Sequence, residues 1–332
     1  MPNKLEISIG NPFIIQFNLL KRCIFNCPYC YLKHQRSDAI FLFSDYKKFF
    51  DKLDKYNKEY GLTYKLNITG GDIWYHPEIN KILKFSFDKK YVIKIALLIN
   101  SLWHKDSKKI VLSIKDKIGL IQLNIDSKNL FDDIGFLDKN NIKSAIKIFL
   151  SKDEKYFQKQ IKILKSVIEK NQKIIISLDR LCPIDNNQKK EMLSNSELIK
   201  KIVFLQRITK NLISVDDPLL KSLIYDKVNT KFKIGLKGCI IPNGGVAIYP
   251  NGDIKLCSRI PSFQTGFNTR NFELVKYINK YISIRQNRLK KCCKCEYFDS
   301  CQGGCPATSY YLTKKFQDIN CLNKKNGNSA IS

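Results

Sequence analysis

Three cysteines stand close together near the start of the chain, in the stretch Cys23-Ile-Phe-Asn-Cys27-Pro-Tyr-Cys30. Spacings of four and three residues let their thiolates meet one face of a metal cluster. Three ligands leave one iron of a four-iron cube open, just as catalytic metal sites keep a vacancy that structural sites close. The stretch therefore predicts a site where a small molecule binds an open iron. A zinc knuckle is the alternative, with His34 as its fourth ligand.

The cysteine stretch follows the first of six predicted strands. Short β-rich runs alternate with amphipathic stretches through the first two-thirds of the chain. The predicted strands are Phe13–Asn18, Lys65–Thr69, Val92–Ile99, Leu120–Ile125, Ile142–Phe149 and Lys173–Leu178. The predicted helices are Ser44–Tyr60, Pro77–Phe87, Ser107–Lys117, Asp153–Lys170 and Ser194–Thr209. Repeated βα units imply a parallel sheet, so we predict an α/β fold, a partial (β/α)6 TIM-like barrel with its chemistry at the carboxyl ends of the strands.

The remaining cysteines are concentrated at the other end of the chain. Of twelve cysteines, eight lie between Cys239 and Cys321. We find no export signal and no apolar run long enough to span a membrane, and we expect a cytoplasmic protein. Clustered thiolates in a reducing compartment bind metal more often than they form disulfides. The sequence thus predicts a barrel domain at 1–216, a small cysteine-rich iron–sulfur domain at 217–325 and a polar tail at 326–332.

Two local elements are predicted within the cysteine-rich part. Ile248–Pro250 and Asp253–Leu256 read as a hairpin, because Asn251-Gly252 between them is a favoured two-residue turn. A helix is predicted at Asn271–Arg288.

Both cysteine patterns together resemble those of the radical S-adenosylmethionine superfamily, in its members with a C-terminal SPASM domain. The first stretch matches the superfamily's three-cysteine spacing, with the aromatic Tyr29 before the last cysteine. The second pattern matches the SPASM order and spacing at Cys239, Gly252, Cys257, Cys292, Cys295, Cys301, Cys305 and Cys321. Short motifs next to these cysteines match the SPASM domain as well, namely Pro250-Asn-Gly-Asp-Ile, Cys301-Gln-Gly-Gly-Cys305-Pro and the Asp318 before the last cysteine.

The resemblance implies a catalytic [4Fe–4S] cluster on Cys23, Cys27 and Cys30. In the superfamily, S-adenosylmethionine chelates the open iron and is cleaved reductively to a 5′-deoxyadenosyl radical. The residues it would assign to this cofactor are Tyr29, Gly70, Gly71, Asp72, Asn100, Gln122, Asn124 and Asp126. Asp72 stands where the family commonly has glutamate, which keeps the charge and shortens the reach. Strand alternation predicts that Gln122, Asn124 and Asp126 share one face, where a polar lining without a ligand is the alternative.

The SPASM resemblance implies two auxiliary [4Fe–4S] clusters. One would be held by Cys292, Cys295, Cys301 and Cys321, and the other by Cys239, Cys257 and Cys305. Family members often supply a fourth ligand of the second cluster just before its first cysteine, and 232–238 contains no cysteine. That cluster is therefore expected either to keep an open iron or to recruit Cys293 or Cys182. For Cys182 the alternative is a buried, inert thiol.

The same resemblance implies a ribosomally made peptide as substrate, with an oxidative cross-link as product and a flavodoxin or ferredoxin as electron donor. Sulfatase-maturing relatives place an aspartate directly after the second SPASM cysteine as a base. Ser258 stands there, so formylglycine formation is not expected. Because only about twenty residues precede Cys23, we expect no separate leader-binding domain.

Other functions stay open at this point. Dehydrogenation of a small alcohol or sugar would also use auxiliary clusters, and peptide epimerisation uses the same radical. The formal net charge of +28 raises a different class, a non-catalytic metal protein that binds nucleic acid. The lysines are scattered along the predicted helices without a nucleic-acid-binding motif, so we do not expect a nucleic-acid partner.

Overall fold

The computed structural model describes residues 9–27, 29–32, 36–170, 173–183, 186–209, 213–215, 217, 220, 239, 241–242, 244–260, 263–295 and 298–314. The strands are β1 Phe13–Asn18, β2 Tyr64–Thr69, β3 Val92–Leu98, β4 Ile118–Asn124, β5 Ser144–Leu150, β6 Ile175–Arg180, β7 Ile213–Val215, β8 Gly245–Ile248 and β9 Ile254–Lys255. The longer helices are α1 Phe43–Tyr60, α2 Ile79–Asp88, α3 Ser107–Ser113, α4 Leu130–Lys139, α5 Glu154–Lys170, α7 Asn195–Ile208, α8 Leu274–Cys292 and α10 Pro306–Thr313. Two short helices are α6 Asn186–Lys190 and α9 Phe298–Cys301.

The strands form a single sheet in the order β7-β6-β5-β4-β3-β2-β1-β8-β9. Strands β1 to β7 pair in parallel, each with its neighbour along the chain. In the described part of the chain the sheet does not close on itself, because β7 and β9 are its two edges. The predicted α/β fold with a mostly parallel sheet is therefore confirmed. The carboxyl ends of the parallel strands lie along one edge, where such folds place their functional residues.

Alternating residues of β1 show how the sheet separates its two faces. Phe13, Ile15 and Phe17 are buried on the helix side, while Ile14 and Gln16 are partly exposed on the other side. The Phe17 ring lies 4.7 Å from the ring of Tyr46 in α1, which places that helix over the buried face. Successive side chains of a strand point to opposite faces of the sheet, so every second residue of β1 lies on the face away from α1. Polar side chains can be placed on that face.

Polar residues recur on that opposite face across the sheet. Gln16 pairs with Asn67 in the register of β1 and β2, and Asn124 pairs with Lys147 in the register of β4 and β5. All four side chains are partly exposed. This face is therefore lined by hydrogen-bonding groups near the strand ends.

Besides the helices α6, α9 and α10, which were also not predicted, three features of the fold differ from the sequence prediction. The helix α4 was not predicted, although it completes the βα unit between β4 and β5; Gly135 in its middle lowers its intrinsic helix propensity. The short strand β7 was not predicted either. The third difference is that β8 pairs in parallel with β1 and so extends the barrel sheet.

The predicted hairpin is confirmed as β8 and β9, which pair antiparallel. Gly252 has a positive φ of 83° in the turn, the conformation for which glycine is suited. At the other end of β8, a Cβ atom on Gly245 would lie 2.6 Å from the carbonyl oxygen of Ile14. A glycine is therefore needed for β8 to approach β1. None of the described helices is long and apolar enough to cross a membrane.

Candidate iron–sulfur and cofactor site

The cysteine loop leaves β1 and is held against the end of β2 by backbone hydrogen bonds. Gly71 N–H donates to the carbonyl of Leu20 at 2.7 Å, and Asp72 N–H donates to the carbonyl of Arg22 at 2.9 Å. On its other side, Lys21 N–H donates to the carbonyl of Ala39 at 3.1 Å. The start of the loop is therefore fixed on two sides before its first cysteine.

The two glycines after β2 are required by this close packing. A Cβ atom on Gly71 would lie 2.0 Å from the carbonyl oxygen of Arg22, and one on Gly70 would lie 2.6 Å from that of Leu20. Gly70 also has a φ of 139°, a value that side chains disfavour. The resemblance described above assigns both glycines to the cofactor. In the structure, the backbone of the cysteine loop fills the space beside both of them.

The three cysteines of the loop are neighbours and are partly exposed. A turn brings Cys30 N–H to the carbonyl of Cys27 at 3.3 Å. Burial, together with the nearby Cys30 and Cys23 thiols, raises the pKa of Cys27 to about 11. Three thiols so close together, with the pKa of both Cys23 and Cys27 raised, favour a site where positive metal charge replaces the protons.

The fourth strand reaches the same loop from across the sheet. The side-chain amide of Asn124 donates a hydrogen bond to Sγ of Cys27 at 3.3 Å. Gln122 and Asn124 are partly exposed on β4 while Leu123 between them is buried, so these two share the predicted face; Asp126 is also partly exposed but lies in the turn that follows β4. Hydrogen bonds to cluster sulfurs are one means by which a protein tunes an iron–sulfur site.

Asp126 is already engaged by two residues of α5 that sequence reasoning did not find. Its carboxylate accepts a hydrogen bond from the Tyr156 hydroxyl at 2.7 Å and lies 2.8 Å from Nζ of Lys159. The Tyr156 ring also packs against Tyr29, with ring centroids 5.4 Å apart. Because Tyr156 and Lys159 follow Asp126 by about thirty residues on another element, no local pattern pointed to them.

Tyr29 joins the cysteine loop to the end of β5. Its hydroxyl donates to Oγ of Ser151 at 2.9 Å, and its ring lies 5.6 Å from that of Phe149. Two residues later, the Tyr31 hydroxyl donates to Oδ1 of Asn18 at 2.6 Å. These contacts fix the loop over the ends of β1 and β5.

Asp72 is buried, with only 2% of its surface exposed, and both of its carboxylate oxygens accept hydrogen bonds. Oδ1 accepts from the backbone N–H of Trp74 at 3.3 Å, and Oδ2 accepts from Nε1 of Trp103 at 2.8 Å. Burial raises the pKa of this carboxyl despite those two donors. The carboxylate also lies near Cys23, whose pKa is raised first by burial and further by Asp72. Asp72 is therefore beside the cysteine loop and is held by the tryptophans.

A polar atom without a partner lies at the end of β3. Oδ1 of Asn100 is buried and accepts no hydrogen bond from the described residues, while the backbone carbonyl of Asn100 accepts from Asn124 N–H at 3.2 Å. Buried polar atoms are normally paired, so an unpaired acceptor beside a candidate site suits a ligand that donates a hydrogen bond. Asn100 thus lies beside Asn124, which contacts Cys27.

The described residues do not include a site for one isolated metal ion. Among them, no group of three or more His, Cys, Asp or Glu side chains is arranged to hold one. A four-iron cube makes a different demand, because each cysteine binds a different iron. His34, the fourth ligand considered for zinc, lies outside the described residues.

The C-terminal cysteines fall into two places. Cys292 ends α8, and a tight turn follows it in which Cys295 N–H donates to its carbonyl at 2.8 Å. Cys301 ends α9, and Cys305 precedes Pro306 at the start of α10. Cys321 and Asp318 lie outside the described residues, as do the tail at 326–332 and most of the chain around the predicted boundary at 216 and 217.

A second group of thiols lies nearer the sheet. The Cys257 thiol is a neighbour of Cys239, and burial followed by that thiol raises the pKa of Cys257. Arg285 of α8 holds the backbone at Cys239. Its guanidinium donates to the carbonyl of Cys239 at 2.6 Å and to Oε1 of Gln302 at 3.0 Å. The structure therefore brings together cysteines that are far apart in sequence.

Comparison with known proteins gives structural relatives only. No family model matches the chain, and no curated protein matches it. Among solved structures, Streptococcus suis SuiB bound to S-adenosylmethionine superposes with a TM-score of 0.67 at 21% identity, over 94% of this chain and 78% of that one. The protein anSMEcpe with bound S-adenosylmethionine and Cp18Cys peptide gives 0.63 at 14% identity, over 92% of each chain. A histidine-tagged form of anSMEcpe with bound S-adenosylmethionine gives 0.65 at 15% identity, over 93% of this chain and 90% of that one.

The sequence identities to these structures are too low to transfer a function. The structural superpositions establish the fold. The chain has the α/β fold, with its mostly parallel sheet, of these S-adenosylmethionine-bound proteins.

Proposed function

We propose that the chain is a radical S-adenosylmethionine enzyme that oxidatively modifies a peptide. The observation that carries the proposal is the position of the Cys23, Cys27 and Cys30 loop. It lies at the carboxyl end of β1, with the Asn124 amide bonded to Sγ of Cys27. The fold around it is shared with SuiB and anSMEcpe, both of which were solved with S-adenosylmethionine bound.

The residues present fit a [4Fe–4S] cluster with one open iron. The neighbouring thiols of Cys23, Cys27 and Cys30 would supply three ligands and leave the fourth iron to S-adenosylmethionine. When bound, such a cluster delivers an electron that cleaves S-adenosylmethionine reductively to a 5′-deoxyadenosyl radical, which takes hydrogen from a substrate. The protein's part is to bind, orient and shield these groups.

Different residues of the chain would bind the cofactor and exclude water. Gln122, Asn124 and Asp126 present hydrogen-bonding groups at the end of β4, and Asn100 presents an unpaired buried acceptor beside them. These residues would hold the cofactor. Tyr29 packs against Tyr156 and Phe149 over the strand ends, where apolar rings exclude water from the reacting groups.

The C-terminal cysteines would hold two auxiliary clusters. Cys239, Cys257 and Cys305 belong to one proposed set, and Cys292, Cys295, Cys301 and Cys321 form the other. The electrostatic contact of Cys239 with Cys257 supports the first set. The two tight turns at Cys292 and Cys301 support the second, since they let neighbouring thiols of a short segment face one cluster.

A peptide substrate is supported by the structural relatives. The anSMEcpe structure holds a peptide together with S-adenosylmethionine, and it matches 92% of this chain. The described part of the sheet is open, with β7 and β9 as its two edges, and an open sheet suits a substrate as large as a peptide. We propose an oxidative cross-link as product and a flavodoxin or ferredoxin as electron donor.

An anaerobic assay tests this function. The reconstituted protein is mixed with dithionite, S-adenosylmethionine and short peptides encoded beside its gene, and 5′-deoxyadenosine and peptide mass are followed. The proposal predicts deoxyadenosine together with loss of about two hydrogens from one peptide. Absence of deoxyadenosine would contradict the radical chemistry. Deoxyadenosine without a change in peptide mass would contradict oxidative peptide modification and leave a small alcohol, a sugar or a mass-neutral epimerisation.

A further inference from the structure

The thiol of Cys182 lies among cysteines of the C-terminal segment. Cys182 follows β6 directly, so it belongs to the barrel sheet by sequence. In the fold, both Cys182 and Cys257 pack against a small buried group that contains Ile260, Cys305 and Ala307. A residue of the barrel thereby meets two cysteines that are separated from it by more than seventy positions.

Electrostatic contacts independently show the same proximity. Burial raises the pKa of Cys182 to about 12; Arg259 opposes this rise and Cys257 adds to it. Burial also raises the pKa of Cys305, and among its neighbours Asp217 and Cys182 add to that rise. Since Cys257 is also a neighbour of Cys239, four thiols form one connected group.

The other candidate ligand lies in a different environment. Cys293 is exposed at the end of α8, and its thiol donates to the carbonyl of Lys290 at 3.2 Å. This hydrogen bond is local to its own helix, and Cys293 does not belong to the described group around Ile260 and Cys305. Cys182 therefore lies where it can share a site with Cys257, and Cys293 does not.

A positive charge beside the thiols supports a metal centre there. The Arg259 guanidinium is a neighbour of Cys182, Cys257 and Cys305, and Asp179 on β6 pairs with it. Arginine stabilises thiolates and the negative charge that a thiolate-ligated cluster carries.

We propose that Cys182 is the fourth protein ligand of the auxiliary cluster whose other ligands are Cys239, Cys257 and Cys305. This inference rests on the proposed function, because that function places an auxiliary cluster on the latter three cysteines. Four protein ligands close the coordination of the cluster, as in structural metal sites. The cluster then has no iron position for the substrate, so its role is confined to electron transfer and stabilisation. The ligand would also link β6 of the barrel covalently to the C-terminal segment through the metal.

The test removes the first cluster and then compares single cysteine variants. The parent is the full chain with Cys23, Cys27 and Cys30 changed to Ala, reconstituted anaerobically. In this parent, Cys182→Ala is compared with the exposed control Cys293→Ala. Iron and sulfide content are measured, and the electron paramagnetic resonance spectrum of the reduced protein is recorded with and without cyanide, a ligand for an open iron. A Cys182→Val variant fills the buried position and offers no atom that binds iron, so it decides the matter if circular dichroism shows that the Ala variant is unfolded.

The proposal predicts about eight irons in the parent and a spectrum that cyanide does not change. Cys182→Ala should either lose about half of that iron or gain a cyanide-dependent spectrum, while Cys293→Ala should match the parent. A cyanide-dependent spectrum in the parent would overturn the inference alone, since it shows an open iron. Identical iron and spectra in the Cys182 variants and the parent would also overturn it. About four irons or fewer in the parent would contradict the two auxiliary clusters of the proposed function itself.

Discussion

The side-chain amide of Asn124 donates a hydrogen bond to Sγ of Cys27 across 3.3 Å. This contact joins the end of β4 to the cysteine loop that follows β1, two elements about one hundred residues apart. A donor directed at a ligand sulfur stabilises the more negative, reduced form of an iron–sulfur cluster and raises its reduction potential. The contact therefore connects the fold to the chemistry that we propose for the loop.

Replacing Asn124 with Ala should lower the reduction potential of the first cluster. One neutral hydrogen bond contributes about 1 kcal/mol, which corresponds to at most about 40 mV for a one-electron couple. The measurement is a redox titration followed by electron paramagnetic resonance. Asn129→Ala is the control, because Asn129 is exposed and its side chain makes no capping bond to α4. An unchanged potential in Asn124→Ala would show that the contact does not tune the cluster.

Gly71→Ala should displace the cysteine loop. Its new methyl group would lie 2.0 Å from the carbonyl oxygen of Arg22, and neither backbone segment can move without breaking the hydrogen bonds between them. We expect loss of the first cluster, about four irons per chain, and destabilisation by about 2 kcal/mol. Iron analysis and urea unfolding measure the two effects.

A matched glycine lies in α4. A Cβ atom on Gly135 would meet nothing within 4 Å, and glycine lowers helix stability relative to alanine. Gly135→Ala should therefore keep its iron and gain roughly 0.5–1 kcal/mol. Equal iron content in the two variants would contradict the close packing inferred at Gly71.

Asp179 on β6 should stabilise the fold in a pH-dependent way. Burial acts to raise its pKa, but the nearby Arg259 and Lys147 outweigh burial and hold the pKa below its usual value. A carboxyl with a depressed pKa in the folded state contributes stability above its unfolded pKa of about 3.9, and this contribution is lost as the pH falls through the folded value. Asp179→Asn leaves both cations without their carboxylate and should cost about 3 kcal/mol at pH 7.

Urea unfolding at several pH values measures this effect. The difference between the unfolding free energies of the unmodified protein and Asp179→Asn should shrink as the pH falls below about 4. Asp51→Asn, an exposed change in the middle of α1, serves as control and should show a difference near zero throughout. A difference for Asp179→Asn that stays constant with pH would contradict an ionised, charge-paired Asp179.

The strands that carry the site were largely predictable from the sequence. The strand β1 was predicted at Phe13–Asn18, and the structure has the same bounds, because large apolar residues at every second position, namely Phe13, Ile15 and Phe17, mark a strand with one buried face. Alternation likewise placed Gln122 and Asn124 on one face. Such local patterns depend only on residues near one another in the chain.

Contacts between distant segments were not predictable in the same way. Pairing of β8 with β1 depends on Gly245 meeting Ile14 across more than two hundred positions. The partners of Asp126 on α5 depend equally on the tertiary fold. The sequence also left Cys182 open between a ligand and an inert thiol, and only its packing beside Cys257 and Cys305 favours the ligand.

Formation of 5′-deoxyadenosine by the Cys23→Ala variant is the most direct test of the proposed cysteine site. The reconstituted protein, Cys23→Ala and the exposed control Cys293→Ala are incubated anaerobically with dithionite and S-adenosylmethionine, and the product is quantified by mass spectrometry. The account predicts deoxyadenosine from the unmodified protein and from Cys293→Ala, and none above background from Cys23→Ala. Equal product from Cys23→Ala and the unmodified protein would contradict a catalytic cluster on Cys23, Cys27 and Cys30.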